Sequence, residues 1–576
     1  MQARNTIHKT LKFQGGGKEM KKFIVLALFG LLIVASTVSA QKLEFKASGA
    51  IDFDSVWERN VPFYFGSAAT RGALHDGLFQ TWITPAFYPS TAGAGIAGKR
   101  TGGLDRPAAY MYSRGLLKFD AVMSKELSGT IYFEIDGFRW GGGPPSAGSP
   151  GGMLTQAGER NTLGVWTSDR AAVEVKNVYI DFGLPYFGIP VPTTVRVGVQ
   201  PFGIRPNIFL YSDGAGFTAG MKVDPVTIIP MWAKVHAGAD FASDDDTLYG
   251  LHANAKIGSV TIGGYGVYYN MNTYPTTYAT GVAWGTVGGV SASTSPSYGV
   301  YVAGTQRADF WWFGAYMDGK LGPVDVNLDF VYDRGKVEQK LPISTTPSED
   351  VKYRGWAGRL KVDFPWEKFN FGVVGMYASG SDANKTSTKG LPGDSVANPA
   401  SSAITKKVSG YIIPVGSESS PGSQESLVMF SCFNAVADGG TGIAQVGNYS
   451  QVSRGAFGGL WFGKLYGSVK ATPWYKVTLQ GLYIADTTKH GNTLGTARKA
   501  PYTITAPLRD DKTIGWEFNI INEIDIYKNL KFFAGAGILI AGDGMDVWRR
   551  TDAVTAGANY SPKNPWNVTT RLLYSF

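Results

Sequence analysis

The chain has 576 residues, of which 13% are aromatic and only 17% are charged, with 75 glycines and a single cysteine. A soluble chain of this length would contain several domains with dense apolar cores, whereas the apolar residues here fall in short alternating runs between Gly-, Ser- and Asn-rich stretches. The lone Cys432 excludes an internal disulfide, and no basic run is long enough to indicate nucleic-acid binding.

The amino terminus has the pattern of a secretory signal peptide over residues 20–40. Two lysines follow Met20, an apolar run covers 23–34, and small residues lead to Ala40. The apolar run is short for a membrane span, and the small-x-small ending is typical of a cleavage site. We therefore expect cleavage after Ala40, which leaves Gln41 as the first mature residue.

Residues 1–19 precede this signal and fit no part of it. The Gly-rich stretch just before Met20 would be encoded by purine-rich codons, so we interpret residues 1–19 as a translated leader that contains a ribosome-binding site. Removal of residues 1–40 takes away six basic residues and one acidic residue, which lowers the formal net charge from +9 to +4. The mature protein, 41–576, is therefore nearly balanced in charge.

The mature chain repeats segments of about ten residues in which apolar and polar positions alternate. In 109–123, for example, Leu117 and Phe119 share one face while Arg114 and Lys118 share the other. Such a chain satisfies its backbone in a bilayer only by closing a sheet. The sequence predicts an all-β fold, a transmembrane antiparallel β-barrel of about eighteen strands, within a range of 16 to 20.

The predicted connections alternate between short turns and long loops, which is the arrangement of periplasmic turns and extracellular loops in outer-membrane barrels. The long loops are predicted near 57–107, 141–170, 271–307, 381–458, 488–512 and 542–566. The loop at 381–458 contains two apolar stretches, 411–413 and 427–430. These stretches could form an extra barrel hairpin, or they could form a flap folded over or into the mouth.

The chain ends in an alternating strand that carries Tyr574 and the terminal Phe576 on one face and Arg571 on the other. This strand resembles the assembly signal of bacterial outer-membrane β-barrels. With the signal peptide and the loop rhythm, it makes the whole mature chain resemble Gram-negative outer-membrane porins, most of all the large homotrimeric porins of the deltaproteobacterial type.

This resemblance implies a location in the outer membrane of a Gram-negative bacterium and passive diffusion of small hydrophilic solutes and ions through a homotrimer. It also implies contact with outer-membrane lipid, lipopolysaccharide and the barrel-assembly machinery, and no nucleic-acid partner. A substrate-selective channel for oligosaccharides or anions, and a barrel scaffold of a larger envelope complex, stay open as alternatives.

Charged residues on the predicted inner face are candidates for lining a pore, since charged rings replace part of a solute's water shell. The candidates are Arg114, Lys118, Arg196, Arg205, Asp213, Lys222, Lys234, Asp325, Asp329, Arg359 and Lys361. Further acidic residues on the same predicted face, such as Asp120, Glu134 and Glu517, bring the whole inner-face inventory close to charge balance, so any anion preference should be mild. Arg205 and Asp213 lie in the third external connection, which resembles by position the inward-folded loop of general porins, although a plain hairpin loop is equally compatible.

Residue patterns for catalysis, metal or cofactor binding are weak. The sequence contains no His-x-x-x-His helix, cysteine pair or haem motif. The adjacent pair His75-Asp76 is the one His-Asp neighbour pair, and such a pair is poor support for an active site. We therefore expect no catalytic residues, no cofactor and no metal.

Overall fold

The computed structural model describes residues 43–60, 107–140, 173–184, 191–237, 245–274, 277–278, 301–302, 306–339, 350–386, 393, 398, 403–414, 417, 425–430, 458–503, 505–550 and 556–576. The signal peptide, the cleavage site between Ala40 and Gln41, and His75-Asp76 lie outside these residues. Among the described residues, no helix is both long and apolar enough to cross a membrane.

Eighteen strands follow one another along the chain. They are β1 (Glu44–Arg59), β2 (Pro107–Ser124), β3 (Leu127–Arg139), β4 (Val173–Gly183), β5 (Thr193–Ile204), β6 (Leu210–Val223), β7 (Val226–His236), β8 (Asp246–Ile257), β9 (Val260–Tyr274), β10 (Gln306–Leu321), β11 (Val324–Gln339), β12 (Trp356–Trp366), β13 (Phe369–Ala378), β14 (Leu460–Thr472), β15 (Tyr475–Asp486), β16 (Thr513–Tyr527), β17 (Leu530–Ala541) and β18 (Trp566–Ser575).

Each of these strands pairs antiparallel with the next, and β18 returns to pair with β1, so the sheet is a closed barrel. The seam pairs Asp54 with Arg571 and Arg59 with Trp566. Short turns such as 125–126, 258–259 and 528–529 lie at one end, and the long connections lie at the other. The predicted barrel of about eighteen strands is confirmed, although several strand ends differ from the predicted boundaries by a few residues.

Alternation along each strand separates an apolar outer face from a polar inner face, as the period of two requires. On β1, Phe53 and Trp57 are exposed on the outside while Asp52 and Asp54 are buried inside. On β11, Leu328 and Phe330 face outward, and the Asp329 between them is buried in the lumen. Closure gives every barrel strand a hydrogen-bonded neighbour on both sides, so the barrel sheet has no edge strand.

One strand reverses the predicted orientation. We expected Lys234 on the inner face of β7, but it shares the face of Trp232, whose ring stacks on the outward Phe217. Met231 and Ala233 instead pack into the apolar core inside the barrel. The prediction for Lys234 is wrong because β7 is apolar on both faces at this level, so alternation alone cannot show which face is inner.

The long connection between β13 and β14 enters the barrel. Its described residues between 411 and 430, here named the inserted segment, bury both apolar stretches, 411–413 and 427–430, against lumen-facing side chains of the wall. The two stretches therefore form a flap folded into the mouth, and they add no hairpin to the barrel. The described members of the apolar core inside the barrel come from β5–β17 and their connections, and none comes from β1–β4 or β18.

Short elements complete the long-loop end. Strand pairs join Thr277–Tyr278 with Tyr301–Val302, Lys385–Thr386 with Ala403–Ile404, and Val547–Arg550 with Gly557–Tyr560. Val351–Tyr353 pairs with β11 and, in parallel, with Lys407–Val408. A 3-10 turn covers Asp543–Met545.

Candidate functional site: the barrel lumen

The wall formed by β1–β4 and β18 presents charged side chains to the lumen in matched pairs. Arg114 donates to Glu134 at 3.0 Å, and Lys176 donates to the other oxygen of Glu134 at 2.8 Å. Lys118 donates to Asp120 at 3.0 Å, and Thr130 donates to the same carboxylate at 2.6 Å. Both expected basic residues of β2 thus face the lumen, each beside a carboxylate.

Arg196 of β5 lies against the neighbouring strand β4. Its guanidinium forms two hydrogen bonds with Asp181, at 2.7 and 2.9 Å, and its Cζ lies 4.2 Å from the centre of the Tyr179 ring. A bidentate pair stacked on an aromatic ring fixes a guanidinium plane more firmly than a single contact does. The Arg196 side chain keeps 33% of its exposure, so water and solutes in the lumen can reach it.

Arg205 begins an inward excursion of the chain between β5 and β6. Arg205 has a positive φ of 48°. Its guanidinium donates hydrogen bonds to Asp318 of β10 at 2.9 Å and to Asp329 of β11. The same guanidinium lies 4.3 Å from the centre of the Tyr316 ring. The sequence left open whether this connection folds inward, and its contacts with β10 and β11 place it inside the lumen.

The apolar tip of this connection meets the inserted segment. Phe209 stacks on Tyr265 of β9 with ring centres 4.9 Å apart. The Tyr411 hydroxyl donates to the Ile208 carbonyl at 2.7 Å, and the Tyr211 amide donates to the Ser417 hydroxyl at 3.1 Å. Two connections that are far apart in sequence therefore form one obstruction across the mouth.

A buried carboxylate attaches the inserted segment to the wall. Glu425 accepts from Arg359 of β12 at 2.7 Å and from Lys464 of β14. All three side chains are at most 8% exposed. Burial alone would raise the pKa of the Glu425 carboxyl, but the two cations lower it to about 2. Arg359 also lies 3.8 Å from Asp329, which joins this cluster to Arg205.

A second carboxylate of the wall holds the turn that follows Glu425. Glu517 of β16 is fully buried and accepts the backbone amides of Leu427 and Met429 at 2.8 and 2.9 Å. The turn approaches the strand β17 closely at Gly537, which has no side chain. A Cβ at this position would lie 3.0 Å from Val428 and 2.1 Å from Asn519. Glu517 therefore binds the backbone of this turn, and Gly537 leaves the space that the turn occupies.

The other expected lumen residues lie in less buried positions. Asp213 accepts from Asn177 at 2.8 Å and pairs with Lys176, so it joins a different cluster from Arg205. Lys222 and Asp325 lie close to the short turns and are exposed. Lys361 is 3.5 Å from Asp363, whereas Lys234 is outside the lumen, 2.9 Å from Asp245.

The charged and polar side chains of the lumen can donate and accept hydrogen bonds and can attract ions of either sign. Among the described residues, no group of three or more His, Cys, Asp or Glu side chains could hold a metal ion. Glu425 escaped the sequence analysis because it lies in an irregular loop, whereas Glu517 was one of several acidic candidates for the inner face, with no signal for its partner. The apolar stretches at 411–413 and 427–430 were the available signal.

No protein-family model matches the chain, and no curated protein sequence matches it. Among solved structures, OccK11 (OpdR) of Pseudomonas aeruginosa is 8% identical with a TM-score of 0.42, and the match covers 92% of this chain and 96% of that one. OpdQ of Pseudomonas aeruginosa has 8% identity, a TM-score of 0.41 and coverage of 92% and 98%.

A BenF-like porin of Pseudomonas fluorescens Pf-5 also has 8% identity, with a TM-score of 0.40 and coverage of 92% and 98%.

Proposed function

We propose that the protein is an outer-membrane porin, a water-filled channel for passive diffusion of small hydrophilic solutes and ions. The observation that supports this function best is the closed ring of eighteen strands with apolar side chains outside and charged side chains inside. A barrel of this size has an interior wider than side chains alone normally fill. Lys118 and Arg196 keep about a third of their side-chain exposure, which is what a wet wall requires.

The passage that we propose is eccentric. The inserted segment and the connection that contains Arg205 occupy the mouth against β5–β17, whereas the described wall of β18 and β1–β4 carries the paired charges. Solutes would therefore pass where charged side chains of the lumen stay partly exposed, beside Lys118 and Arg196. Because each cation there has a nearby carboxylate, a mild ion preference is expected.

A substrate-selective channel is the second candidate, and the filled mouth favours it. A passage narrowed by a fitted, buried segment admits fewer solutes than an open lumen does, and a wall of paired charges offers both donors and acceptors to a polar solute. The structure of the lumen suits oligosaccharides or small anions, since both exchange water for hydrogen bonds with such a wall.

Location and assembly belong to the same proposal. We place the barrel in the outer membrane of a Gram-negative bacterium as a homotrimer of the large, deltaproteobacterial type, made by the barrel-assembly machinery, with lipopolysaccharide and other outer-membrane lipids around it. Passive diffusion needs no catalytic residue, cofactor or metal. Light scattering of the detergent-solubilised protein would give the protomer number, and a monomer would contradict the trimer.

Conductance tests the channel. Purified protein added to planar bilayers should insert in steps, in groups of three for a trimer. Neutral sugars of increasing size should reduce the conductance up to a size cut-off, and a sharp reduction by one sugar class at low concentration would favour the selective channel. Folded barrels that conduct at no salt concentration or voltage would refute both candidates and favour the scaffold.

A further inference from the structure

A set of cations lies on the outer surface of the barrel, at the long-loop end of β11 and β12. Strand pairing sets Lys336 opposite Lys352, and Lys352 opposite Lys407. One step nearer the membrane, the register that pairs Tyr332 with Trp356 and Gly335 with Tyr353 places Arg334 opposite Arg354. We name the five cations, Arg334, Lys336, Lys352, Arg354 and Lys407, the basic rim patch.

These side chains point away from the lumen. From 351 to 357 burial alternates strictly, with Val351, Tyr353 and Ala357 buried inside, whereas Lys352 and Arg354 are exposed outside together with Trp356. On β11 the inner face carries the buried Asp333 and Val337. The basic rim patch is therefore separate from the proposed solute passage.

Only one of the five cations is neutralised by a salt bridge within the part of the chain that the structure describes. Lys336 pairs with Glu338 and, at 3.0 Å, with Asp350. Arg334, Lys352, Arg354 and Lys407 are exposed, and none of them has such a partner among the described carboxylates. Like charges directly opposite one another across strands destabilise a sheet, so this arrangement favours an anionic ligand from outside the protein.

Aromatic side chains fix the level of the patch relative to the bilayer. Trp311 lies opposite Arg334 and is 43% exposed, and Trp356 stacks on Tyr377 at 4.5 Å on the same outer surface. Outward Trp and Tyr residues occupy the lipid–water boundary of membrane barrels. Arg354 is two residues beyond Trp356, and Lys352 is four residues beyond it, so the cations lie where lipid headgroups begin.

We propose that the basic rim patch binds the phosphate groups of lipopolysaccharide in the outer leaflet. Guanidinium groups present paired N–H donors that match phosphate oxygens, and lysines add point charges. Juxtamembrane cations of this kind attract anionic headgroups within a Debye length of the surface. The acyl chains of the same molecule would cover the outward apolar surface of β10–β12, and the proposal depends on the outer-membrane location proposed above.

Binding to the detergent-folded full-length protein tests the proposal without any measurement of conductance. The probes are a bisphosphorylated lipid A, its dephosphorylated form and inorganic phosphate, each titrated by calorimetry. The test variant is R334Q/K352Q/R354Q/K407Q. The matched control is K125Q/K368Q, which removes exposed lysines from turns at the opposite end of the barrel. Heat modifiability on gels reports whether each variant is folded.

We expect the phosphorylated lipid to bind the parent protein and the control equally, and to bind the test variant about ten- to a hundredfold more weakly. The charge-retaining variant K352R/K407R should bind like the parent. Equal affinity of the test variant and parent would overturn the proposal, as would equal binding of the dephosphorylated lipid. Binding of inorganic phosphate as tight as that of the lipid would overturn the assignment to lipopolysaccharide. A parent that binds the lipid but does not conduct would leave the patch intact and refute only the channel.

Discussion

Arg571 of the last strand forms a two-point salt bridge with Asp52 of the first, with Nε 2.8 Å and Nη2 2.5 Å from the two carboxylate oxygens. The pair crosses the seam at which the barrel closes, where the first strand β1 is hydrogen-bonded to the last strand β18. Asp54, also buried, lies 3.9 Å from the same guanidinium. A slip of one residue at the seam would turn these groups toward lipid, so the pair fixes the closing register.

Replacement of Arg571 by Gln should therefore destabilise the closed barrel. The change leaves the buried Asp52 without its cation, and loss of one partner of a buried ion pair costs about 3 kcal/mol. The expected result is a lower midpoint in urea and a lower temperature for the gel shift that reports barrel unfolding. The double variant D52N/R571Q should recover most of the loss, and a single variant as stable as the parent would show that the pair does not hold the seam.

Phe576 should matter for insertion. The backbone of Phe576 exchanges two hydrogen bonds with Gly49 of β1, at 2.9 and 3.0 Å, and its ring covers the place where a Cβ of Gly49 would lie. We expect deletion of Phe576 to reduce the amount of folded protein in outer-membrane fractions. Replacement of Phe576 by Tyr is the matched control, and normal insertion of the deletion variant would contradict a role of this residue in assembly.

Release of the inserted segment should widen the channel. In E425Q the buried Arg359 and Lys464 lose their common carboxylate, which should cost about 3 kcal/mol and weaken the attachment of the segment. We expect larger or more frequently fluctuating single-channel conductance and faster uptake of large sugars into liposomes. E126Q, which neutralises an exposed acid in a short turn, should behave like the parent. Unchanged conductance and sugar cut-off in E425Q would show that the segment does not limit the passage.

The fold followed from the sequence because lipid imposes strict rules on alternation, closure and turn length. The paired charges Arg114, Arg196 and Arg359 followed from the same alternation. The orientation of Lys234 could not be predicted in this way, because the neighbouring Met231, Trp232 and Ala233 place apolar side chains on both faces of β7. The two partners of Arg205 could not be predicted from the sequence either. Asp318 and Asp329 lie more than a hundred residues away along the chain, and only the closed barrel brings them close to Arg205.

The attachment of the inserted segment should be insensitive to mild acid. The pKa of Glu425 falls from an ordinary 4.5 to about 2 in the folded protein, because Lys464 and Arg359 outweigh its burial. A carboxyl with a lowered folded pKa contributes stability that is complete above its unfolded pKa and is lost as the pH falls through the folded one. Single-channel conductance should therefore be the same at pH 7 and pH 5. A larger conductance at pH 5 that is absent in E425Q would contradict the lowered pKa of Glu425.

Charge reversal at two arginines should separate the passage wall from the obstruction. Arg196 stays partly exposed beside Asp181 on the wall, so R196E would place two carboxylates side by side facing water and attract cations. R205E would instead bring a third carboxylate against Asp318 and Asp329. The repulsion should detach the connection between β5 and β6 from β10 and β11. Reversal potentials in a salt gradient should show greater cation selectivity for R196E at nearly parental conductance. R205E should show altered conductance as well, and unchanged reversal potentials for R196E would remove β5 from the path of the ions.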